Sequence, residues 1–168
     1  MGARHEHPRT GYDGAMSRTT RLMNCSPQAV FDVLTDGWTY ATWVVGASRI
    51  REVDDDFPAA GSKVHHSVGV WPMLINDETV VERIDVPHEI QLRAQAWPAG
   101  EADVTIRVQA EGDQTLVTID EQAASGPAKL IPRPVEDFML HQRNVETLKR
   151  LAFLAESGAR SAAGPRQP

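Results

Sequence analysis

Glu121 is the residue whose type and position most strongly suggest chemistry. It alternates with Val117 and Ile119 in a strand-like segment, so its carboxylate is predicted to face an apolar interior. A buried carboxyl group is costly unless it is paired or protonated, and burial without a partner shifts such a group towards the pKa range of a general acid or base. The alternatives are an ion pair with Arg107, Arg93 or another cavity residue, or a position at the solvated end of the strand.

Two histidines are the other candidates for proton transfer. His66 alternates with Val64 and Val68, which predicts an imidazole that points inward, either hydrogen-bonded within the wall or acting as a catalytic base. His141 interrupts an apolar helical stripe one turn after Asp137, and an Asp–His pair at that spacing can orient the ring. The alternative for His141 is a rim histidine that is paired on the surface. These two histidines and the glutamate above are the candidate catalytic residues.

The predicted ligand-binding residues share an inward position on a strand, a place in an interrupting loop, or a place on the last helix. Trp43, Trp71 and Trp97 offer large aromatic surfaces, and Trp71 with Pro72 predicts an apolar gate at a cavity mouth. Ordinary core packing is the alternative, and it suits Trp43 equally well. The predicted ligand-binding set is Trp43, His66, Val68, Trp71, Met73, Ala94, Trp97, Ile106, Glu121, His141 and Asn144.

The sequence lacks the patterns that are typical of several kinds of binding site. The six histidines have none of the spacings typical of metal ligands, and the glycines form neither a dinucleotide-binding motif nor a phosphate-binding loop. We therefore expect no metal and no cofactor. A net charge of −6 argues against nucleic acid as the main partner, and Cys25, the only cysteine, allows no internal disulfide.

The length of 168 residues predicts one domain. Residues 1–16 and 159–168 have no hydrophobic period, so we expect a disordered extension and a disordered tail around a domain at 17–158. No apolar run approaches the roughly 18 residues of a spanning helix, and the first residues contain no apolar signal region. We therefore expect a cytoplasmic protein without membrane insertion. The expected oligomeric state is a monomer or a homodimer.

The helices and strands that carry these residues are predicted from changes in the hydrophobic period. A weak alternation over 18–24 predicts a first strand, and Ser26-Pro27 predicts a helix start, because serine caps a helix and proline suits its first turn. A second short helix or turn is predicted over 38–43. From Gly46 the helical period gives way to strand alternation. Strands are predicted over 47–53, 62–70, 75–84, about 90–96, 102–110 and 116–124.

Residues 134–157 predict one long helix near the C-terminus. Pro134 suits its first turn, and Gly158 is expected to end it. Its apolar stripe should lie on the sheet, with His141 and Asn144 facing the covered space. Successive hairpins make the sheet antiparallel, and a curled sheet with small or polar inward residues leaves a pocket under the helix. The stripe consists of Phe138, Val145, Leu148, Leu151, Ala152 and Ala155.

This order of elements and several local motifs resemble the START-like, or SRPBCC, superfamily and, within it, the bacterial polyketide cyclase/dehydrase-like group. The matching residues are Ser26-Pro27 with Val30 and Leu34, Asp36 to Trp43, Val45-Gly46, Phe57-Pro58 with Gly61, His65-His66, and Arg143-Asn144 with Glu146-Thr147-Leu148. The resemblance covers about residues 17–157. It implies an α+β helix-grip fold: a curved antiparallel sheet of about seven strands around one long C-terminal helix, with two short helices after the first strand. It also implies a cavity between sheet and helix, and no catalytic residues common to all members.

Two functions fit these expectations best. The first, which we favour, is binding of a small hydrophobic molecule, such as a lipid, polyketide or aromatic compound, by a carrier or sensor. The second is a polyketide cyclase or dehydratase in which Glu121, His66 or His141 moves a proton. A weaker third is an interaction protein whose cavity is filled by side chains. The sequence favours binding because it shows no clear acid–base pair and because small inward residues such as Ala94 and Ala123 suggest room.

Overall fold

The computed structural model describes residues 17–70, 73–96, 100–125 and 133–162, and within them the chain forms one seven-stranded sheet and three α-helices. The strands are β1 Ser17–Met23, β2 Ala47–Val53, β3 Lys63–Val70, β4 Met73–Asp85, β5 Glu89–Ala96, β6 Gly100–Glu111 and β7 Gln114–Ser125. The helices are α1 Pro27–Leu34, α2 Tyr40–Trp43 and α3 Arg133–Ala162. All strand pairs are antiparallel in the order β1-β7-β6-β5-β4-β3-β2, and the predicted α+β helix-grip fold is confirmed.

Helix α1 begins where the Ser26-Pro27 pair predicts. The Ser26 hydroxyl accepts a hydrogen bond from the Ala29 backbone N–H at 3.3 Å, and Pro27 occupies the first turn, where no backbone N–H is needed. The helix buries Phe31 and Leu34 and packs against α3. These two side chains belong to the hydrophobic core together with Leu148 and Leu151 of α3.

A close approach at Gly37 carries the chain from α1 into α2. A Cβ on this glycine would lie 2.7 Å from a Val53 side-chain carbon, so a larger residue would force β2 and the turn apart. The turn therefore sits tightly against the sheet. The helix α2 that follows buries Tyr40 and Trp43, which brings two aromatic rings to the concave side of the sheet.

Strand alternation decides which side chains reach that concave side, as the sequence predicts. On β7, Val117, Ile119 and Glu121 are all buried, and on β3 the same holds for Val64 and His66. Glu121 and His66 also line the cavity under α3, which confirms their inward orientation. Both polar side chains enter an interior that is otherwise mostly apolar.

Helix α3 lies on the sheet with a face that differs from the predicted one. Leu148 and Leu151 are buried as expected, but Phe138 is 64% exposed and Val145 is 41% exposed. Successive helical residues are separated by about 100°, so Val145 is turned well away from the buried Asn144. Phe138 precedes Val145 by seven residues and shares its outward side. A polar residue, rather than these two apolar ones, is what the helix buries here.

The ends of α3 also differ from the prediction. The helix begins at Arg133, one residue before Pro134, and continues past Gly158 to Ala162. Gly158 is exposed, and a Cβ there would meet no atom within 4 Å, so the position neither requires glycine nor stops the helix. The predicted boundary at 158 thus falls inside α3, and residues 1–16 lie outside the described part of the chain. Within the described residues, none of the helices has the long apolar run that a membrane-spanning helix requires.

Candidate functional site

A cavity of about 260 Å³ lies between the concave face of the sheet and the N-terminal half of α3. Strands β3, β5, β6 and β7 supply its floor, while α2 and the residues that follow it form one side. Its wall is mainly apolar, with a few polar groups among small and branched side chains. The lining residues are Tyr40, Trp43, Val44, Val45, Gly46, Ala47, His66, Val68, Leu92, Ala94, Gln95, Ala102, Val104, Ile106, Ile119, Glu121, Arg143, Asn144 and Thr147.

Most of the residues predicted to bind a ligand stand in this wall. Trp71 and Trp97 lie outside the described residues, and so does the side chain of Met73. The members of the predicted set that line the cavity are Trp43, His66, Val68, Ala94, Ile106, Glu121 and Asn144. Their contact with a ligand stays a prediction.

His141 is placed away from the cavity and is not among its lining residues. Its side chain is exposed, and its Nδ1 lies 3.2 Å from the hydroxyl of Thr19 on β1. The reason is the position of α3, which packs across β1 and turns this part of its surface towards the edge of the sheet. The expectation that His141 and Asn144 face the same covered space holds only for Asn144, which is 2% exposed.

Glu121 is held by two neighbouring residues of α3. The guanidinium of Arg143 pairs with its Oε1, and the Asn144 side-chain amide donates to its Oε2 at 2.9 Å. Glu121 is 2% exposed, whereas the Arg143 side chain is 40% exposed. The carboxylate therefore has a donor on each oxygen, and the pair adds no net charge to the cavity. The ion pair proposed as an alternative is present, with Arg143 as the partner.

Arg107 and Arg93, the two partners named from the sequence, point to the opposite face of the sheet. Arg107 pairs with Asp120, and Arg93 lies 3.1 Å from Asp103. Successive side chains of a strand point to opposite faces of the sheet. Arg107 follows the inward-facing Ile106 on β6, and Arg93 precedes the inward-facing Ala94 on β5, so both arginines point outward. Parity could have excluded them, but it could not have identified Arg143, whose position depends on how α3 lies over the sheet.

His66 belongs to a buried hydrogen-bonded chain that includes two residues missed in the sequence. Its Nε2 lies 3.1 Å from the Thr79 hydroxyl, which in turn lies 2.8 Å from the Tyr40 hydroxyl. The Tyr40 ring also stacks on the imidazole at a centroid distance of 5.3 Å. Burial raises the pKa of Tyr40 to about 12 and lowers the pKa of His66, so both side chains are neutral near pH 7.

Two residues of the cavity lining each have one fully buried nitrogen without a hydrogen-bond partner within the described part of the chain. The two nitrogens are the indole Nε1 of Trp43 and the imidazole Nδ1 of His66, and both residues are 3% exposed. Trp43 packs edge-on against Tyr40, with ring centroids 5.4 Å apart. Buried polar atoms are normally paired, so these two are exceptions, and neither nitrogen is exposed to the cavity that its residue lines.

Comparison with known proteins gives a family and a set of similar folds. A family model described as polyketide cyclase / dehydrase and lipid transport matches residues 15–156. No curated protein matches the chain.

Among solved structures, a START superfamily protein from Mycobacterium smegmatis is 18% identical over 89% of this chain and 99% of that chain, with a TM-score of 0.61. Protein CV1439 from Chromobacterium violaceum is 15% identical over 83% and 96%, with a TM-score of 0.62. DynU16, from the dynemicin biosynthetic locus, is 17% identical over 86% of this chain and 48% of that chain, with a TM-score of 0.61. At these identities the three structures are similar to this chain in fold alone.

Proposed function

The chain belongs to the polyketide cyclase/dehydrase and lipid transport family of START-like proteins, and from this premise we propose that it binds a small, largely apolar molecule as a carrier or sensor. The molecule would occupy the cavity between the sheet and α3. The family description names both enzymes and transport proteins, so the family alone does not choose between catalysis and binding. The choice rests on the cavity itself.

The size and the apolar wall of the cavity support ligand binding most directly. Its volume of about 260 Å³ is near the lower end of the roughly 300–1,000 Å³ typical of ligand sites. Ala94 and Ala102 stand opposite each other on β5 and β6, so two methyl groups meet where larger side chains would close the space. Apolar walls with a few polar groups favour a compact hydrophobic ligand that is oriented by one or two hydrogen bonds.

The polar groups support binding more strongly than proton transfer. A general acid or base needs a group that is free to exchange a proton with the substrate. Glu121 has a donor on each oxygen, and His141 lies on another part of the surface. Of the three candidate catalytic residues, His66 alone both lines the cavity and has a side-chain nitrogen without a hydrogen-bond partner in the described part of the chain.

Filling the cavity should abolish binding without unfolding the protein. We expect Ala102→Leu to displace the ligand, because its side chain would occupy the space beside Ala94. Ala110→Leu is the matched control, since it makes the same change at an exposed position of the same strand. Native mass spectrometry of each protein, purified from its own host, would detect a co-purified molecule. A molecule retained equally by both variants would place its binding site elsewhere.

The same material separates a carrier from a cyclase or dehydratase. The co-purified molecule and its precursors would be incubated with the wild-type chain and with His66→Gln, and the products analysed by mass spectrometry. A carrier returns each compound unchanged from both proteins. Turnover by the wild type alone would establish the enzyme and assign the proton transfer to His66.

A further inference from the structure

Helix α3 carries a cluster of exposed apolar side chains on the side that faces away from the sheet. Within the described residues, eight large apolar side chains are exposed, and four of them lie on α3, while the others are scattered over β1, the turn before α2, β4 and the turn after β4. Scattered apolar side chains are normal on a protein surface, whereas a contiguous apolar patch is typical of an interaction site. The four side chains are between 41% and 69% exposed, and we call them the outer face of α3: Phe138, Met139, Val145 and Phe153.

The helical period brings the outer face together on one side of α3. Successive residues of an α-helix are separated by about 100°, so the four side chains fall within an arc of about 120°. The buried residues Leu148, Leu151 and Ala155 occupy the other side of the helix. No rotation of α3 about its axis could therefore bury both sets of side chains against the same sheet. Covering the outer face requires a second surface.

The spacing along the outer face suits a second copy of the same helix. Phe138 precedes Val145 by seven residues. Phe153 follows the next residue, Glu146, also by seven. At about 1.5 Å of rise per residue, the two phenylalanines lie about 11 Å to either side of one midpoint. In two copies of α3 that pack antiparallel about a two-fold axis at this midpoint, Phe138 and Met139 meet the partner's Phe153. The two Val145 side chains then meet at the axis.

The polar residues of this side of α3 are compatible with that arrangement. Glu146 lies next to the axis, but it pairs with Lys149 and Arg150 of its own helix, so the two glutamates that approach each other are each neutralised. Gln142 and Lys149 lie equally far from the axis in opposite directions, so the amide oxygen of Gln142 can accept a hydrogen bond from the partner's Lys149. The chain as a whole has a net charge of −6, yet two copies meet here without opposing unpaired negative charges.

We propose that this chain self-associates through the outer face of α3, as an antiparallel, two-fold symmetric pair of helices. A two-fold interface uses the same surface on both copies, and it therefore requires the symmetry about one midpoint that these residues have. A lipid surface would require exposed apolar side chains but no such symmetry. The inference concerns the outside of α3 and does not depend on the ligand proposed for the cavity beneath it.

Sedimentation velocity over a wide range of protein concentrations measures the association. We expect the wild type to change from monomer to dimer as the concentration rises. Phe153→Asp should raise the dissociation constant by about a hundred-fold or more, because the dimer loses the ring contacts at both ends of the interface. Val86→Asp is the matched control, since it makes the same kind of change at a 50% exposed residue in the turn after β4, and it should dimerise as the wild type does. Circular dichroism of each variant checks that the fold is kept. A wild type that stays monomeric, or a dimer that Phe153→Asp leaves intact, would overturn the inference.

Disulfide cross-linking tests the antiparallel pairing. Val145→Cys should give a disulfide-linked dimer under mild oxidation, because helices about 8–10 Å apart bring the two residues at the axis within disulfide reach. Ser157→Cys, which lies twelve residues closer to the C-terminus, should stay monomeric under the same conditions. Cys25 is buried and is present in both variants, so it adds the same background. Equal cross-linking of the two variants, or none with Val145→Cys, would contradict a two-fold axis at this midpoint.

Phosphatidylcholine vesicles test a lipid surface as the other occupant of the outer face. We expect the wild type to dimerise and not to sediment with the vesicles. A monomeric wild type that binds vesicles, and that loses this binding in Phe153→Asp, would assign the outer face to a membrane and overturn the inference. None of these outcomes affects the proposed ligand binding, because Phe153 does not line the cavity and its substitution should leave the co-purified molecule in place.

Discussion

Glu121 is a carboxylate on an otherwise apolar strand face, and what it does depends on the two α3 residues that hold it. Arg143 and Asn144 occupy its oxygens, so its first role is to fix α3 on the sheet beside the cavity. A free, neutral carboxyl group at this position could have served as a general acid. The ion pair instead makes the residue part of the cavity wall.

Replacing Glu121 should therefore cost stability. Glu121→Gln removes the negative partner of Arg143, and we expect the free energy of unfolding to fall by about 1–3 kcal/mol. Glu82→Gln is the control, because Glu82 pairs with Arg93 where both side chains are about 40% exposed. That change should cost at most about 1 kcal/mol. Urea denaturation of the three proteins measures both losses, and equal losses would mean that the buried pair contributes no more than the surface pair.

His66 should make the protein less stable at mildly acidic pH. Burial lowers the pKa of His66 from its usual 6.5; of the nearby charges, Asp77 opposes this shift, while Arg51 and His65 add to it. As the pH falls, His66 takes up a proton in the unfolded chain before it does so in the folded chain. The contribution of His66 to the unfolding free energy is therefore fully present above about pH 6.5 and is lost as the pH drops towards the folded-state pKa.

Urea denaturation at several pH values from about 7.5 to about 5 tests this sign. His66→Gln should reduce the dependence of the unfolding free energy on pH, since it removes the group whose pKa differs between the two states. His88→Gln, at an exposed turn position, should keep the wild-type dependence. An unchanged pH slope in His66→Gln would assign the effect to other groups.

At the scale of elements, α3 decides both the stability of the fold and the shape of the cavity. Its buried side combines polar residues near the cavity, Asn144 and Thr147, with apolar ones further along, Leu148 and Leu151. The same helix thus closes the core at one end and supplies hydrogen-bonding groups at the other.

The orientation of α3 can be tested by substituting aspartate for each of two residues that lie about one helical turn apart. Leu148→Asp puts a charge into the core and should lower the unfolding free energy by roughly 3–5 kcal/mol. Val145→Asp makes the same kind of change one turn earlier at a side chain that is 41% exposed, and should cost about 1 kcal/mol or less. Thermal denaturation compares the two, and a larger loss for Val145→Asp would show that the helix is rotated relative to the orientation described above.

For the whole molecule, the sheet with its three helices is the unit that should fold by itself. A chain trimmed to residues 16–162 keeps every described element, including the turn of α3 beyond Gly158. We expect its thermal midpoint to match that of the full chain, because the removed segments have no hydrophobic period. A drop of many degrees would show that a removed segment packs on the domain.

Local patterns along the chain were enough to predict the features that depend on neighbouring residues. Strand alternation placed Glu121 and His66 on the inward face, and the Ser26-Pro27 pair placed the start of α1. These predictions succeed because parity along a strand and the capping of a helix involve neighbouring residues only. The resemblance to a known superfamily then supplied the arrangement of the sheet and the long helix.

Contacts between residues that are distant along the chain could not be predicted in this way. Glu121 pairs with Arg143 rather than with Arg107, and Asn144 reaches the cavity while His141 and Val145 do not. All of these outcomes depend on the rotation of α3 about its axis and on the line along which it crosses the sheet. A rotation of about 100° exchanges one helical residue for the next, and an apolar stripe broken by polar residues leaves that angle to be fixed by packing.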